Sequence, residues 1–213
     1  MSILEQISEN LQKGKAADVK SLVAQALNEG IKPSDVLMNG MIAGMNIIGE
    51  KFKKNEVYVP HVLIAARAMH AGMDILKPEL IKSGVEPIGK IVVGTVKGDL
   101  HDIGKNLVCM MLEGAGFEVF DAGIDCTAEK LVDLAVEKNA PVIGLSALLT
   151  TTMPSMKDVI AEIQKRNLQS KIKVMIGGAP VTQNYADEIG ADGYSTDAAS
   201  AVDLAKKILD LAN

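Results

Sequence analysis

The chain has 213 residues, and 48% of them are hydrophobic, which is enough apolar material to build an ordinary packed core. The formal net charge is -5 and the Lys and Arg residues are scattered, which argues against binding to nucleic acid or to an anionic membrane surface. Because no apolar run approaches the ~20 residues that cross a bilayer, and no secretory leader is visible, we expect a cytoplasmic protein without membrane contact.

Apolar residues recur at helical spacing from residue 2 to about residue 82, and no stretch there alternates with a period of two. Pro33 opens the third of four such segments, and Pro60 precedes the fourth. The pattern predicts an all-α four-helix bundle over residues 1–84. The apolar positions of the four segments are Ile3, Ile7 and Leu11; Val19, Leu22, Val23 and Leu27; Met38, Met41, Met45, Ile48 and Phe52; and Leu63, Met69, Met73 and Leu76.

The pattern then changes, and Gly84 and Pro87 mark a linker over residues 85–89. Short β-rich runs alternate with helical stretches from there on, which predicts a doubly wound, parallel, five-stranded α/β sheet over residues 90–213. The predicted strands are Lys90–Val96, Glu118–Ala122, Val142–Ser146, Lys173–Ile176 and a weak one near Tyr194. The predicted helices are Ile103–Glu113, Ala128–Lys138, Pro154–Arg166, Ala186–Ile189 and Ala199–Leu211.

Ligands of such open sheets bind at the carboxyl ends of the strands, which directs attention to the loop after the first strand. This loop has neither of the glycine-rich phosphate-binding spacings, but it carries His101 with Asp99 two residues earlier. A carboxylate beside an imidazole is typical of a metal-ligating His, because a hydrogen bond at one ring nitrogen directs the other nitrogen to the metal. The alternative is that Asp99 caps the following helix and that His101 is merely exposed in its first turn.

Three short motifs follow predicted strands in order along the chain. They are D-x-H-x-x-G at Asp99, His101 and Gly104, S-x-L at Ser146, Ala147 and Leu148, and the pair Gly177 and Gly178. With these motifs, residues 90–213 resemble the cobalamin-binding proteins and their Rossmann-like fold. The preceding helices resemble the cap domain of methionine synthase and of the corrinoid proteins that serve methylamine, methanol and O-demethylase methyltransferases.

The resemblance implies that the chain binds cobalamin or a related corrinoid. The cofactor's own base would be displaced (base-off), and His101 would be the lower axial ligand to cobalt. Asp99 would hold the imidazole, and Thr152 falls where methionine synthases place a Ser that completes the hydrogen-bond chain. Thr keeps the hydroxyl of that Ser and adds a methyl group. These three side chains would tune the cobalt as the cofactor alternates between its methylcobalamin and cob(I)alamin states.

The resemblance also implies a slot in the α/β domain for the displaced tail of the cofactor. Glycines permit close approach of a ligand to the backbone, and hydroxyls can hold a polar tail. Besides Asp99, His101 and Thr152, the resemblance assigns cofactor contacts to Asp102, Ile103, Gly104, Ser146, Leu148, Thr150, Gly177 and Gly178. Taken alone, Gly177 and Gly178 also fit an ordinary turn, and Ser146 also fits an ordinary buried hydroxyl.

In the resembled family the helices cover the methyl-bearing face of the corrin and exclude water from it. Tyr58 and Met45 are the candidates for this cap, since Tyr58 falls where methionine synthase has an aromatic residue over the cobalt. The alternative is that both side chains fill the helical core. His61 and His70 have no second ligand four residues further on, and we expect them to be ordinary histidines.

The function that the resemblance implies is that of a methyl carrier, non-catalytic alone, in one-carbon metabolism. Cobalt would take a methyl group from a substrate-specific methyltransferase and pass it to an acceptor methyltransferase, with a reductive activation protein as a third partner. Methylamines, methanol, quaternary amines and aryl methyl ethers all remain open as donors.

Three other functions compete with the methyl carrier. A cobalamin-dependent sensor or regulator would need a DNA-reading element, but the chain has no basic recognition helix. A mutase cofactor subunit would share the motifs, although the cap-like helices argue against it. A cofactor-free α/β signalling domain would leave His101 and the glycine pair without a role.

Overall fold

The computed structural model describes residues 1–211, and the chain folds into two compact units. Of the described residues, the helical unit comprises 1–87 with 114–116, and the α/β unit comprises 88–113 with 117–211. The helices of the helical unit are α1 (Ile3–Gln12), α2 (Ala16–Asn28), α3 (Pro33–Asp35), a π-helical segment (Val36–Ile42), α4 (Ala43–Lys53) and α5 (Val59–Lys82).

A capping box begins α1, and apolar burial stabilises the helices of this unit. At the start of α1 the Glu5 amide donates to the Ser2 hydroxyl at 3.2 Å, and the Ser2 amide donates to the Glu5 carboxylate at 2.7 Å. Most of the predicted apolar positions are buried, which accounts for the stability of short helices that would be marginal in isolation. The fully buried side chains of this unit include Ile7, Leu11, Val19, Val23, Met41, Val62 and Leu76.

The third helical segment is not the uninterrupted α-helix that the pattern predicts. Between α3 and α4, residues Val36–Ile42 form wider π-helical turns. Gly40 packs so closely against α1 that a Cβ added to it would lie 3.2 Å from Cγ2 of Ile7. Because the π turns change the spacing of side chains around the helix, Met38 does not fall on the buried face and is exposed.

The buried face of α5 includes Val62, whereas the sequence predicts the next residue, Leu63, at that position. The helix begins at Val59 rather than after Pro60. Val62, Ala65 and Met69 are buried, at the three- and four-residue spacing of one helix face. Leu63 therefore lies beside that face and is exposed.

The α/β unit is a five-stranded parallel sheet with the strand order β2-β1-β3-β4-β5. This doubly wound order reverses direction between β1 and β3, and the gap outside the carboxyl ends of these two strands is where such sheets bind ligands. The strands are β1 (Lys90–Val96), β2 (Glu118–Cys126), β3 (Val142–Ser146), β4 (Lys173–Gly177) and β5 (Gly193–Ser195). The helices are α6 (Ile103–Gly114), α7 (Ala128–Lys138), α8 (Pro154–Lys165), α9 (Gln183–Ile189) and α10 (Ala198–Ile208).

The second strand continues four residues beyond Ala122, where the sequence predicts its end. The register between β1 and β2 shifts twice. Asp121 and Cys126 of β2 pair with Val93 and Val96 of β1, and they are five residues apart whereas their partners are three apart. This segment of β2 therefore contains two additional residues. The prediction is wrong here because this stretch contains Gly and Asp, which alternation rules assign to turns. The helix predicted from Ala186 begins three residues earlier at α9, and the last helix ends at Ile208 rather than at Leu211.

The strands and the helices that cover them bury apolar side chains on both faces of the sheet. Both cysteines are buried free thiols, and burial raises the pKa of Cys109 to about 12. Over residues 1–211, no helix has the length and apolar character needed to span a membrane.

Candidate functional site

The loops that follow β1 and β3 meet at the switch point of the sheet, and the Asp99 carboxylate joins them. From the β3 loop, the amides of Leu148 and Leu149 donate to its Oδ2 at 2.8 and 3.3 Å. The Thr152 hydroxyl also reaches Oδ2, at 2.7 Å. From its own loop, the His101 amide donates to its Oδ1 at 3.1 Å.

The hydrogen bonds keep Asp99 ionised although it is fully buried. Burial by itself raises the pKa of this carboxyl, but donation from Thr152, Leu148 and His101 outweighs burial and holds the pKa well below its ordinary value. The alternative that Asp99 caps the next helix is not what the structure has, since its hydrogen-bond partners all lie outside α6.

Hydrogen bonds to its side chain and to its main chain hold His101 in place. Its Nδ1 lies 2.7 Å from Oδ1 of Asp99, and its carbonyl oxygen accepts a hydrogen bond from the Thr95 hydroxyl at 2.8 Å. Because Asp99 is an ionised acceptor, Nδ1 carries the proton and Nε2 keeps a lone pair in the neutral ring. The His101 side chain is 50% exposed, so a ligand can reach the ring.

Thr152 makes the third link of this chain. Its hydroxyl lies within reach of two acceptors, Oδ2 of Asp99 at 2.7 Å and the carbonyl oxygen of Leu149 at 2.9 Å, and it has one proton to donate. The charged acceptor makes the stronger hydrogen bond. The methyl group that Thr adds lies toward Gly98, where an added Cβ would be 3.6 Å from Cγ2 of Thr152, so the network tolerates Thr at this position.

The two loops and the first residue of α6 carry four large apolar side chains that are exposed: Leu100, Ile103, Leu148 and Leu149. Exposed apolar side chains close in sequence to a half-exposed imidazole favour a large, partly apolar ligand over a bare metal ion. A corrinoid would fit this set of residues, because it is a large, partly apolar cofactor whose cobalt can take a nitrogen ligand from the protein.

The glycines predicted to line a slot differ in their surroundings. Gly178 has φ of +131°, and a Cβ added to it would collide with the carbonyl oxygen of Ala147. A Cβ on Gly177 would lie 3.4 Å from the Ser195 carbonyl oxygen. Gly104 has no atom within 4 Å of its added Cβ. Gly178 is thus required by the fold itself, whereas only a ligand could require glycine at Gly104.

The variants Gly178→Ala and Gly104→Ala should separate these two requirements. We expect Gly178→Ala to lower the free energy of unfolding by about 3 kcal/mol, from backbone strain and the clash with Ala147. Gly104→Ala is expected to leave it unchanged or raise it by up to about 1 kcal/mol, because Ala favours the helix. Urea unfolding of both apoproteins measures the difference, and equal destabilisation of the two would contradict it.

The other predicted site residues are placed as follows. Ser146 ends β3 half-buried, in register with Thr95 on one side and Gly177 on the other. Thr150 is exposed in the β3 loop, and Asp102 is exposed, with its Oδ2 accepting from the Asn106 side chain at 3.2 Å. Their contacts with a cofactor stay predictions.

The cap candidates lie in the helical unit and differ in exposure. Met45 in α4 is buried, as the alternative of a core residue expects, and Tyr58 precedes α5 with its side chain exposed. The Tyr58 amide donates to Nδ1 of His61 at 3.2 Å, so His61 helps to begin α5. The roles of Met45 and Tyr58 above a corrin stay predictions.

Sequence reasoning missed three contributions to the site. The amides of Leu148 and Leu149 belong to the backbone, so the residue types at these positions do not reveal them. Thr95 is a buried hydroxyl inside an apolar strand, and that anomaly could have drawn attention to it. Asp125 donates to the carbonyl oxygen of Asp99, and it escaped notice because β2 was predicted to end before it.

Two family models, each described as a B12 binding domain, match residues 3–77 and 89–203 of the chain. A corrinoid protein of Desulfitobacterium hafniense is 43% identical over 212 residues, which cover 98% of each chain. Dimethylamine corrinoid protein 2 of Methanosarcina acetivorans is 44% identical over 97% of this chain and 96% of its own length.

Among solved structures, the methanol:cobalamin methyltransferase complex MtaBC of Methanosarcina barkeri superposes with a TM-score of 0.87 and 27% identity. The match covers 99% of this chain and 81% of that chain. The fold, the two family models and the sequence identity over almost the whole length all indicate the same family. The chain belongs to the corrinoid proteins, a family built on B12 binding domains.

Proposed function

We propose that this protein carries a methyl group on the cobalt of a bound corrinoid and delivers it between two methyltransferases. The observation that carries the proposal is the hydrogen-bond chain from Thr152 through Asp99 to Nδ1 of His101, which leaves Nε2 on a half-exposed ring. In this proposal residues 1–84 form the cap domain, 85–89 the linker and 90–213 the cofactor domain.

When bound, the corrinoid supplies a cobalt centre that accepts a methyl group and gives it up again. His101 would offer Nε2 as the lower ligand, in place of the base of the cofactor. Asp99 fixes the orientation of the imidazole and the ring nitrogen that carries the proton, as carboxylate partners of metal-bound His generally do. Gly104, Gly177 and Gly178, with the hydroxyls of Ser146 and Thr150, would hold the displaced tail.

The comparisons favour a methyl carrier over the other members of this cofactor class. Similarity extends through both B12 binding domains to proteins named for dimethylamine, and the structural match includes a complex named as a methanol:cobalamin methyltransferase. We therefore propose a methyltransferase of a small methylated substrate as the donor partner, with methylated amines as the first class to test. An acceptor methyltransferase and a reductive activation protein complete the proposed cycle.

The test of this function is reconstitution followed by transfer. Purified apoprotein is incubated with cobalamin, freed of excess cofactor by gel filtration, reduced chemically, and mixed with dimethylamine and a dimethylamine-specific methyltransferase. We expect a coloured protein whose absorbance spectrum changes only when both the amine and the methyltransferase are present. A protein that stays colourless would contradict corrinoid binding, and a coloured protein inert to every methylated donor with its methyltransferase would contradict the carrier role.

A further inference from the structure

Asp125 lies at the end of β2, beside the loop that carries Asp99 and His101. Its main chain has φ of +49°, in the left-handed region that residues other than glycine seldom occupy. Asp tolerates this region better than most residues, yet the conformation still has an energetic cost. Strain at the edge of a candidate site is a reason to ask what its contacts do.

Asp125 makes two hydrogen bonds that enclose one short segment of the loop after β1. Its Oδ1 accepts from the Gly98 amide at 2.7 Å, and its own amide donates to the carbonyl oxygen of Asp99 at 3.0 Å. Gly98 has φ of +84°, inside a turn that the Asp99 amide closes on the carbonyl oxygen of Val96 at 3.1 Å. Asp125 of β2 thus holds the main chain of Gly98 through its side chain and the main chain of Asp99 through its amide.

The position of this segment decides where the Asp99 carboxylate lies. Leu148 and Thr152 hold one carboxylate oxygen, so they act on the side chain of Asp99 and not on its main chain. The His101 ring depends on the other oxygen, through the 2.7 Å contact at Nδ1. The two additional residues of β2 create the irregular strand end on which Asp125 lies.

We propose that Asp125 is a positioning residue for His101. It fixes Gly98 and Asp99 so that Asp99 can hold the imidazole as the Nδ1–H form, which keeps Nε2 available to cobalt. The proposal rests on the proposed function for its purpose, but the positioning itself exists in the apoprotein and is measurable without any cofactor.

The test compares variants that separate the acceptor oxygen from the backbone strain. Asp125→Asn keeps an acceptor oxygen and tolerates the left-handed region, whereas Asp125→Gly relieves the strain and removes the acceptor. The control for a loss of stability outside the site is Asn139→Ala, because Asn139 has φ of +51° at the end of α7 and Ala is strained in that conformation. The readout is nitrogen NMR of the full-length apoprotein with labelled histidine, with His101 assigned by its loss in His101→Ala.

In Asp125→Gly we expect the ratio of Nδ1–H to Nε2–H imidazole at His101 to fall about fivefold, the factor that one lost hydrogen bond gives. The stability of this variant should be unchanged or higher. Asp125→Asn should keep the wild-type ratio, and Asn139→Ala should be less stable with the wild-type ratio. The proposal is overturned by a wild-type ratio in Asp125→Gly, by Asp125→Asn behaving like Asp125→Gly, or by a shift in Asn139→Ala. Since no cofactor is present, a failure of His101 to bind cobalt would leave these ratios unaffected.

Discussion

The variant His101→Ala is expected to lose the lower ligand to cobalt while keeping its fold. Asp99 retains its hydrogen bonds from Leu148 and Thr152, so the cost in stability should be about 1 kcal/mol, the value of the lost hydrogen bond. Methyl transfer should slow by more than the roughly 10- to 100-fold that follows loss of an outer partner of a metal ligand. Stopped-flow absorbance with the methyltransferase measures the rate, and urea unfolding measures the stability.

The matched control is His61→Ala. His61 is also exposed and also makes a hydrogen bond through Nδ1, but it does so at the start of α5. This variant should be slightly less stable and should transfer methyl groups at the wild-type rate. If His101→Ala retains wild-type transfer, or if both variants are slowed equally, His101 is not the cobalt ligand.

The variant Asp99→Asn is expected to be the most destabilising polar substitution in the loop. Every partner of the carboxylate is a donor: the ring and amide of His101 on Oδ1, and Leu148, Leu149 and Thr152 on Oδ2. An amide offers one acceptor oxygen, so its NH₂ group must face buried donors in either orientation. We expect a loss of about 3 kcal/mol in the free energy of unfolding, since each unsatisfied buried group costs about 1–3 kcal/mol.

The effect of Asp99→Asn should also depend on pH in a defined direction. The pKa of Asp99 is lower in the folded state than in the unfolded chain, so its contribution is complete above the unfolded pKa of about 3.9 and is lost as the pH falls below it. The difference in stability between wild type and variant should therefore narrow below about pH 4. Asp102→Asn, an exposed neighbour in the same loop, should change stability by less than about 0.5 kcal/mol. A difference for Asp99→Asn that stays constant into acid would contradict the depressed pKa.

The order of elements and the principal motif were predictable from the sequence, for physical reasons. Alternation of β-rich runs with helical stretches admits few folds other than a parallel wound sheet, which the structure confirms. His101 and Asp99 are close in sequence, so their contact needed only the local turn to form. The fifth strand was predicted from a weak signal near Tyr194 and is present as Gly193–Ser195.

What the sequence could not provide depends on contacts between distant segments. The carboxylate of Asp99 is held by Leu148 and Leu149 through backbone amides, which every residue except proline has. Asp125 lies at the irregular end of β2, where the sequence predicts a turn. The exposure of Met38 follows from π-helical turns, which a pattern of period 3.6 does not anticipate.

The most direct measurement is electron paramagnetic resonance of the reconstituted protein with its cobalt in the Co(II) state, with and without histidine labelled by the heavy nitrogen isotope. An imidazole nitrogen bound below the cobalt splits the signal, and the splitting should change with the label and vanish in His101→Ala. A splitting that does not change with the label, or that persists in His101→Ala, would show that a nitrogen other than that of His101 is bound to the cobalt.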